Sequence, residues 1–213
     1  MNQLLDPILV AVLLLNLVAL GASQLRTVIH AVAFQGVLLG LTIVAAHNTV
    51  TVWVILMAAA TIALKGVVIP RMLFHAIREV VIRREVEPII GFVGSLLLGG
   101  AGTALAVIFA KTLPIAHEQI GSLIVPAALS TVLTGFLILT TRTKAISQVV
   151  GYLVLENGVF IFGLLLVEAM PFLVEIGVLL DLFVAIFIMG IIIYQISQEF
   201  STASTRELSA LKE

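Results

Sequence analysis

The chain has 213 residues, of which 61% are hydrophobic and 11% charged, with a mean hydropathy of +1.24; ordinary soluble domains carry about 25% charged residues. That composition excludes a soluble globular domain and marks an integral membrane protein. With a net charge of −1 there is no basic tail or stripe for nucleic acid, and the absence of cysteine excludes disulfides, thiolate metal ligands and cysteine-ligated iron–sulfur clusters within the chain.

An α-helix rises 1.5 Å per residue, so about 20 apolar residues cross about 30 Å of hydrocarbon. Seven stretches reach that length, at 4–22, 27–47, 50–70, 89–110, 119–140, 145–167 and 172–197. Strict alternation of apolar and polar residues is missing, which argues for helices over a barrel. The expected fold is an all-α integral membrane protein of about seven transmembrane helices. Its expected divisions are a four-helix region over 1–118, a three-helix region over 119–198 and a cytoplasmic tail over 199–213.

The first stretch lacks a basic leader and carries Asp6 before its apolar run, which argues against a cleaved signal peptide. In the second, His30 and Gln35 stand about one turn apart and extend a polar path toward the cytoplasm; the plain alternative for His30 is a hydrogen-bonded interfacial histidine. The third contains "TIALKGVVIPRML", with Lys65 followed by Gly66 and Pro70. The missing N–H and the ring of Pro70 predict a kink. Lys65 either transmits the protonation of a nearby carboxylate through its own charge or snorkels past Arg71.

The link "RMLFHAIREVVIRREVEP", 71–88, sets Arg71, His75, Arg78 and Glu79 at three- or four-residue spacing, with Phe74, Ile77, Val81 and Val86 elsewhere around the helix. It reads as an amphipathic cytoplasmic segment: a solvated extension of the third helix on the headgroups, or a docking surface for a partner. The fourth stretch places Gly91, Ser95, Gly99 and Thr103 at four-residue intervals, a smooth face for close helix contact. Its "GGAG" lacks the strand and spacing of a nucleotide loop. Gly151, Gly158 and Gly163 read as packing glycines, and Trp53, Tyr152 and Tyr194 as interfacial aromatics.

In the sixth stretch, "GYLVLENGVFIFGLLL" carries Glu156 and Asn157 near its middle. Glu156 is about 18 Å of helix from Lys144, out of reach of water by snorkelling. A charged side chain at that depth costs about 2.5–3.5 kcal/mol on insertion scales, so it must face the bundle and either pair or take up a proton. Asp181, in "EIGVLLDLFVAIFIMGIIIYQI", is also deep, and because the last two stretches form a hairpin the two acids can share one cavity and titrate together. Glu175 is the other candidate there, whereas Glu168 reads as a boundary charge. For each acid the alternative is a structural hydrogen bond. In the tail, Ser204 and Glu207 have the spacing of a capping box.

Nine basic residues, Arg26, Arg71, Arg78, Arg83, Arg84, Arg142, Lys144, Arg206 and Lys212, fall on one side of this scheme and Lys111 on the other. The positive-inside rule then puts the N-terminus outside and the C-terminus in the cytoplasm, in a cytoplasmic (inner) membrane.

"QVVGYLVLENGVFIFGLLL" and "PFLVEIGVLLDLFVAIFIMGIIIYQI", with the tail "ELSALKE" and the third stretch's "LKGVVIP", resemble component E of the hydrogenase-4 type membrane-bound hydrogenases. The last three stretches resemble, more distantly, the three-helix K subunit of respiratory complex I. The resemblance implies a non-redox membrane subunit in which the acids of the last two helices, Glu156 and Asp181, move protons; Lys65, Glu175 and His30, singled out above by residue type and depth, complete the expected proton pathway. Where the K subunit has a second glutamate this sequence has Asp181, so Glu175 stays open as the alternative match. Expected partners are antiporter-like membrane subunits, a membrane anchor subunit and a hydrogenase-like peripheral arm. The nickel–iron site and the iron–sulfur clusters would belong to those partners; no cofactor, metal or catalytic centre is expected in this chain. Two rival readings are a structural spacer without a proton path and a stand-alone ion transporter, although no inverted repeat is visible.

Overall fold

The computed structural model describes residues 2–46, 50–79, 88–113, 123–166 and 190. Among them the chain is helical throughout: α1 (Asn2–Gly21), α2 (Leu25–Ala46), α3 (Val52–Thr61), a π-helical segment (Ile62–Val68), α4 (Ile69–Glu79), α5 (Gly91–Ala110), α6 (Ile124–Thr141), α7 (Ala145–Gly163) and a final 3₁₀ turn (Leu164–Leu166). The described residues contain no strand, only an isolated bridge between Pro88 and Arg142. Because α3, the π segment and α4 form one rod, six helical spans are long and apolar enough to cross a membrane. The stretch expected at 172–197 and the tail lie outside the described residues.

The rod is longer than its apolar stretch foretold. It runs on to Glu79 because Leu73, Ala76 and Ile77 bury one face of α4 while Arg71 and His75 stay exposed on the other. The near half of the 71–88 link is thus an amphipathic extension of the third helix, and its far half lies outside the described residues. At the start of the rod the Thr51 hydroxyl caps α3, accepting from the Val54 N–H.

α2, α6 and α7 are the most buried spans and α5 the least. The α6–α7 hairpin is close because glycines remove side chains at its seam. A β-carbon on Gly158 would stand 2.6 Å from the Val132 backbone nitrogen, and one on Gly151 2.9 Å from that of Leu139. Gly163, read from sequence as a third packing glycine, has no neighbour of that kind within 4 Å among the described residues. On α5 the small-residue face divides. Gly99 receives Leu20 of α1, the Thr103 hydroxyl bonds Ser130 of α6 at 2.7 Å, and Gly91 instead starts the helix with φ +73°, a conformation glycine adopts without strain. The outer faces expose Val52, Trp53, Ile55, Leu97, Leu105 and Ile108, as lipid-facing helices do.

Inside the bundle the buried residues are layered. One apolar cluster joins Leu20, Leu25, Ile29, Ile69, Leu73, Val150 and Val154. A second joins Leu9, Val12, Leu39, Ala127 and Ile161. Between them in chain position on every helix concerned lies a buried polar residue: Asn16 on α1, Gln35 on α2, Lys65 on the π segment, Thr131 on α6, and Glu156 with Asn157 on α7.

Candidate functional site: a buried polar layer

The sequence around Lys65 dictates its unusual backbone. Pro70 has no N–H to give and its ring crowds the carbonyl four residues back. The helix answers by widening: over Ile62–Val68 it is π-helical, and the Ile69 N–H reaches five residues back to the Leu64 carbonyl. The kink expected at Pro70 is therefore a π-helical turn placed just before it, a feature frequent at functional positions. Gly36 of α2 packs directly on this turn, where a β-carbon would lie 2.5 Å from Lys65 Cβ and 2.9 Å from its carbonyl carbon.

The rod's apolar span runs from Val52 to Ile77, so Lys65 is 12 residues, about 18 Å, from its far end. Lys65 does not snorkel past Arg71: its side chain is buried and turned inward to Glu156 and Asn157. Lys65 and Glu156 are both about 5% exposed and form an ion pair, Nζ to Oε1, at 3.3 Å. Lys65 also donates to Asn157 Oδ1 at 3.1 Å and lies 5.3 Å from the centre of the Phe160 ring. At an effective dielectric of about 20, unit charges 3.3 Å apart attract by about 5 kcal/mol. Two charges at helix centres cost together about 5–7 kcal/mol to insert. The pair thus roughly cancels its own insertion cost.

The neighbouring amides form a series. Asn157 Nδ2 donates to Gln35 Oε1 at 3.3 Å; Gln35 Nε2 donates to Asn16 Oδ1 at 2.7 Å and to the Val12 carbonyl at 3.3 Å. Asn16 Nδ2 donates to Thr131 Oγ1 at 2.9 Å, and the Thr131 hydroxyl donates to the Ala127 carbonyl at 2.7 Å. Beside Lys65 and Asn157 is a cavity of about 10 Å³, also lined by Ile29, Val32, Ile69, Pro70, Leu73 and Leu153, the space of a single water.

Of the residues singled out in the sequence, Lys65 and Glu156 come together and Gln35 joins them. His30 does not: it is exposed, its Nδ1 lies 2.7 Å from the Arg26 carbonyl and its ring 4.8 Å from that of Phe74. Asp181, Glu175 and Glu168 lie outside the described residues. Sequence reasoning passed over Asn16 and Thr131, although Asn16, alone in "LLLNLVAL", stands out by the same test that found Glu156. It also treated Arg142 as a loop charge. Arg142 is in fact 2% exposed, donates from Nη2 to the Leu20 carbonyl at 2.9 Å and lies 5.6 Å from the Phe92 ring centre. Burial lowers its pKa from the ordinary arginine value.

Fold and site together define a multi-pass helical membrane protein with a lysine–glutamate pair buried between its helices; the described residues hold no cluster of three or more metal-ligating side chains. The chain belongs to the family of the uncharacterized protein Rv0085 of Mycobacterium tuberculosis (strain ATCC 25618 / H37Rv), to which it is 31% identical over 194 residues, 89% of this chain and 87% of that one. A shorter likeness, 33% identity over 85 residues, joins it to hydrogenase-4 component E of Escherichia coli K12, with the same figures for Shigella flexneri; it covers 40% of this chain and 39% of the relative. No family model and no solved structure matches.

Proposed function

We propose that this protein is a non-redox membrane subunit of a complex I-like, membrane-bound hydrogenase or hydrogenase-related complex, in which Lys65 and Glu156 take part in proton translocation. The observation that carries the reading is the buried Lys65–Glu156 ion pair, 3.3 Å long. The partial likeness to hydrogenase-4 component E supplies the complex. Antiporter-like membrane subunits, a membrane anchor subunit and a hydrogenase-like arm are the partners in this reading, and the nickel–iron site and iron–sulfur clusters are theirs. The membrane is the inner one, with the N-terminus outside. Asp181 or Glu175 would continue the path.

The chemistry follows from the pair. A proton arriving at Glu156 removes the carboxylate that balances Lys65 and leaves an uncompensated charge in a low-dielectric layer. Neighbouring titratable groups feel that charge, so the occupancy of one site changes the next. The single-water cavity beside Lys65 lies toward the helix ends that carry Arg26, Arg71 and Lys144, and in this reading it admits the proton from the cytoplasmic side.

The test is made in the assembled complex reconstituted in vesicles. Glu156→Gln and Lys65→Met are expected to lower proton uptake per electron by about tenfold or more, while electron transfer in the soluble arm persists. Unchanged coupling in both variants would leave the pair a structural spacer.

A further inference from the structure

The amide series beside the ion pair has a direction, and two backbone carbonyls fix it. A carbonyl oxygen can only accept. The Val12 carbonyl therefore requires the amide nitrogen of Gln35 on its side, which turns Gln35 Oε1 toward Asn157. Asn157 must then meet that oxygen with its own nitrogen, so its Oδ1 faces Lys65. On the other side, Gln35 Nε2 meets Asn16 Oδ1, Asn16 Nδ2 meets the Thr131 hydroxyl, and the Thr131 proton goes to the Ala127 carbonyl. Reversing the series would set Gln35 Oε1 against the Val12 carbonyl with no proton between them. The orientation follows from the chemistry of the acceptors and does not depend on telling oxygen from nitrogen in an amide.

Every member consequently points its oxygen toward Lys65 and its donor away. Dipoles in series reinforce one another in a low-dielectric interior, and here the series presents its terminal oxygen, Asn157 Oδ1, to the lysine nitrogen, where a hydrogen bond from a charged donor is stronger than one from a neutral donor. Among the described residues, α2 brings Gly36 to Lys65 and Gln35 to Asn157, and α7 brings Glu156, Asn157 and Phe160 to the lysine. The series ends on the lysine side of the ion pair.

We infer that Asn157, Gln35, Asn16 and Thr131 are positioning residues that hold Lys65 as a fixed cation, so that Glu156 alone of the pair loads and releases the proton. This deepens the proton-translocation reading and rests on it for its role in the complex. The charge assignment itself is measured without turnover, so the two can fail separately.

The chain has four lysines, Lys65, Lys111, Lys144 and Lys212. With the last three replaced by arginine, protein grown on lysine labelled with carbon-13 at Cε and embedded in lipid nanodiscs shows one lysine signal, that of Lys65. Its shift reports the charge of the amine, and the infrared carboxyl band lost in Glu156→Gln reports Glu156. Across a pH titration the Glu156 band is expected to change while the Lys65 signal keeps the position of an ammonium. A Lys65 signal that moves together with the Glu156 band would overturn the assignment. In Gln35→Leu, which breaks the series at its centre, the Lys65 signal is expected to begin following pH. Thr131→Val, two links further from the pair and nearly the same size, is expected to do the same more weakly and serves if Gln35→Leu does not fold. A Lys65 signal that stays fixed in the folded variants would show that something other than the amide series holds the charge.

Discussion

Gly36 lies so close to Lys65 that a single added carbon would stand 2.5 Å from the lysine's own Cβ and 2.9 Å from its carbonyl carbon. The obstruction is partly backbone, so rotating a side chain cannot relieve it. Gly36→Ala must push α2 away from the π segment, with overpacking that typically costs about 1–3 kcal/mol, and it moves Lys65 relative to Glu156. The expected result is a lower thermal midpoint in detergent together with weakened coupling in the complex. Gly100→Ala is the comparison: none of the described residues lies within 4 Å of its would-be β-carbon, and removing a mid-helix glycine there is expected to be neutral or to stabilise by up to about 1 kcal/mol.

Pro70 is the residue whose chemistry opens the helix ahead of it. Pro70→Ala restores the missing N–H and removes the ring, so Ile62–Val68 is free to close into ordinary α-helix. Losing the wider turn changes the angular position of Lys65 by a fraction of a turn and carries its nitrogen off Glu156. The variant is expected to be as stable as the parent or more so, yet to lose coupling like Lys65→Met. A structure of Pro70→Ala that keeps both the π turn and the 3.3 Å ion pair would show that packing on Gly36, and not the proline, makes the turn.

How much of this was readable beforehand depended on whether a residue's meaning was local. The spans were readable because about 20 apolar residues have few alternatives in a membrane, and Glu156 because a lone acid inside such a run must have a partner. The partner was not readable: Lys65 is 91 residues away in the chain, and sequence spacing says nothing about which two helices touch. The third apolar stretch ends at Pro70 because the face that continues through Leu73, Ala76 and Ile77 is amphipathic, and spacing alone leaves open whether such a segment extends the helix or docks a partner. Asn16 and Thr131 were legible as polar residues in apolar runs, but uncharged groups raise no alarm when a threonine can bond its own helix. His30 was drawn into the polar path by its nearness to Gln35, five residues away, yet five residues put it around the helix and out of the layer.

Arg142 is buried where α1 and α6 end together, with Nη2 on the Leu20 carbonyl, Nη1 without a hydrogen-bond partner among the described residues and Phe92 beside the guanidinium. A cation at the carbonyl end of a helix is favoured, but its desolvation works against it. Arg142→Gln keeps a donor for the Leu20 carbonyl and drops the charge, so it is expected to change stability by less than about 1 kcal/mol. Arg142→Ala leaves that carbonyl unbonded and opens a void, with an expected loss of about 2–4 kcal/mol. Thermal unfolding in detergent separates the two. Equal losses would mean that the charge itself, and not the donor, holds the helix ends together.

The orientation of the chain rests on which helix ends share a side. The bond from Arg142 to the Leu20 carbonyl, the Pro88–Arg142 bridge and the Ile89 N–H on the Thr141 carbonyl gather the end of α1, the approach to α5 and the end of α6 at one pole. The Leu123 N–H at Asp6 Oδ1, 3.4 Å away, puts the start of α1 and the start of α6 at the other. The α1–α2 turn and the α6–α7 turn therefore lie on the same side, and with them Arg26, Arg142 and Lys144, while Lys111 follows α5 at the opposite pole. Since the excess of Lys and Arg marks the cytoplasmic face, cysteines introduced one at a time at Ser23 and Thr112, both exposed, are expected to react from opposite sides in intact cells, Thr112→Cys with an impermeant reagent added outside and Ser23→Cys only after the membrane is opened. Reaction of Ser23→Cys from outside with Thr112→Cys protected would invert the orientation and send the cavity beside Lys65 toward the outer face. Reaction of both from one side would break the six-span path itself, because α3, the π segment and α4 could not then be a single crossing.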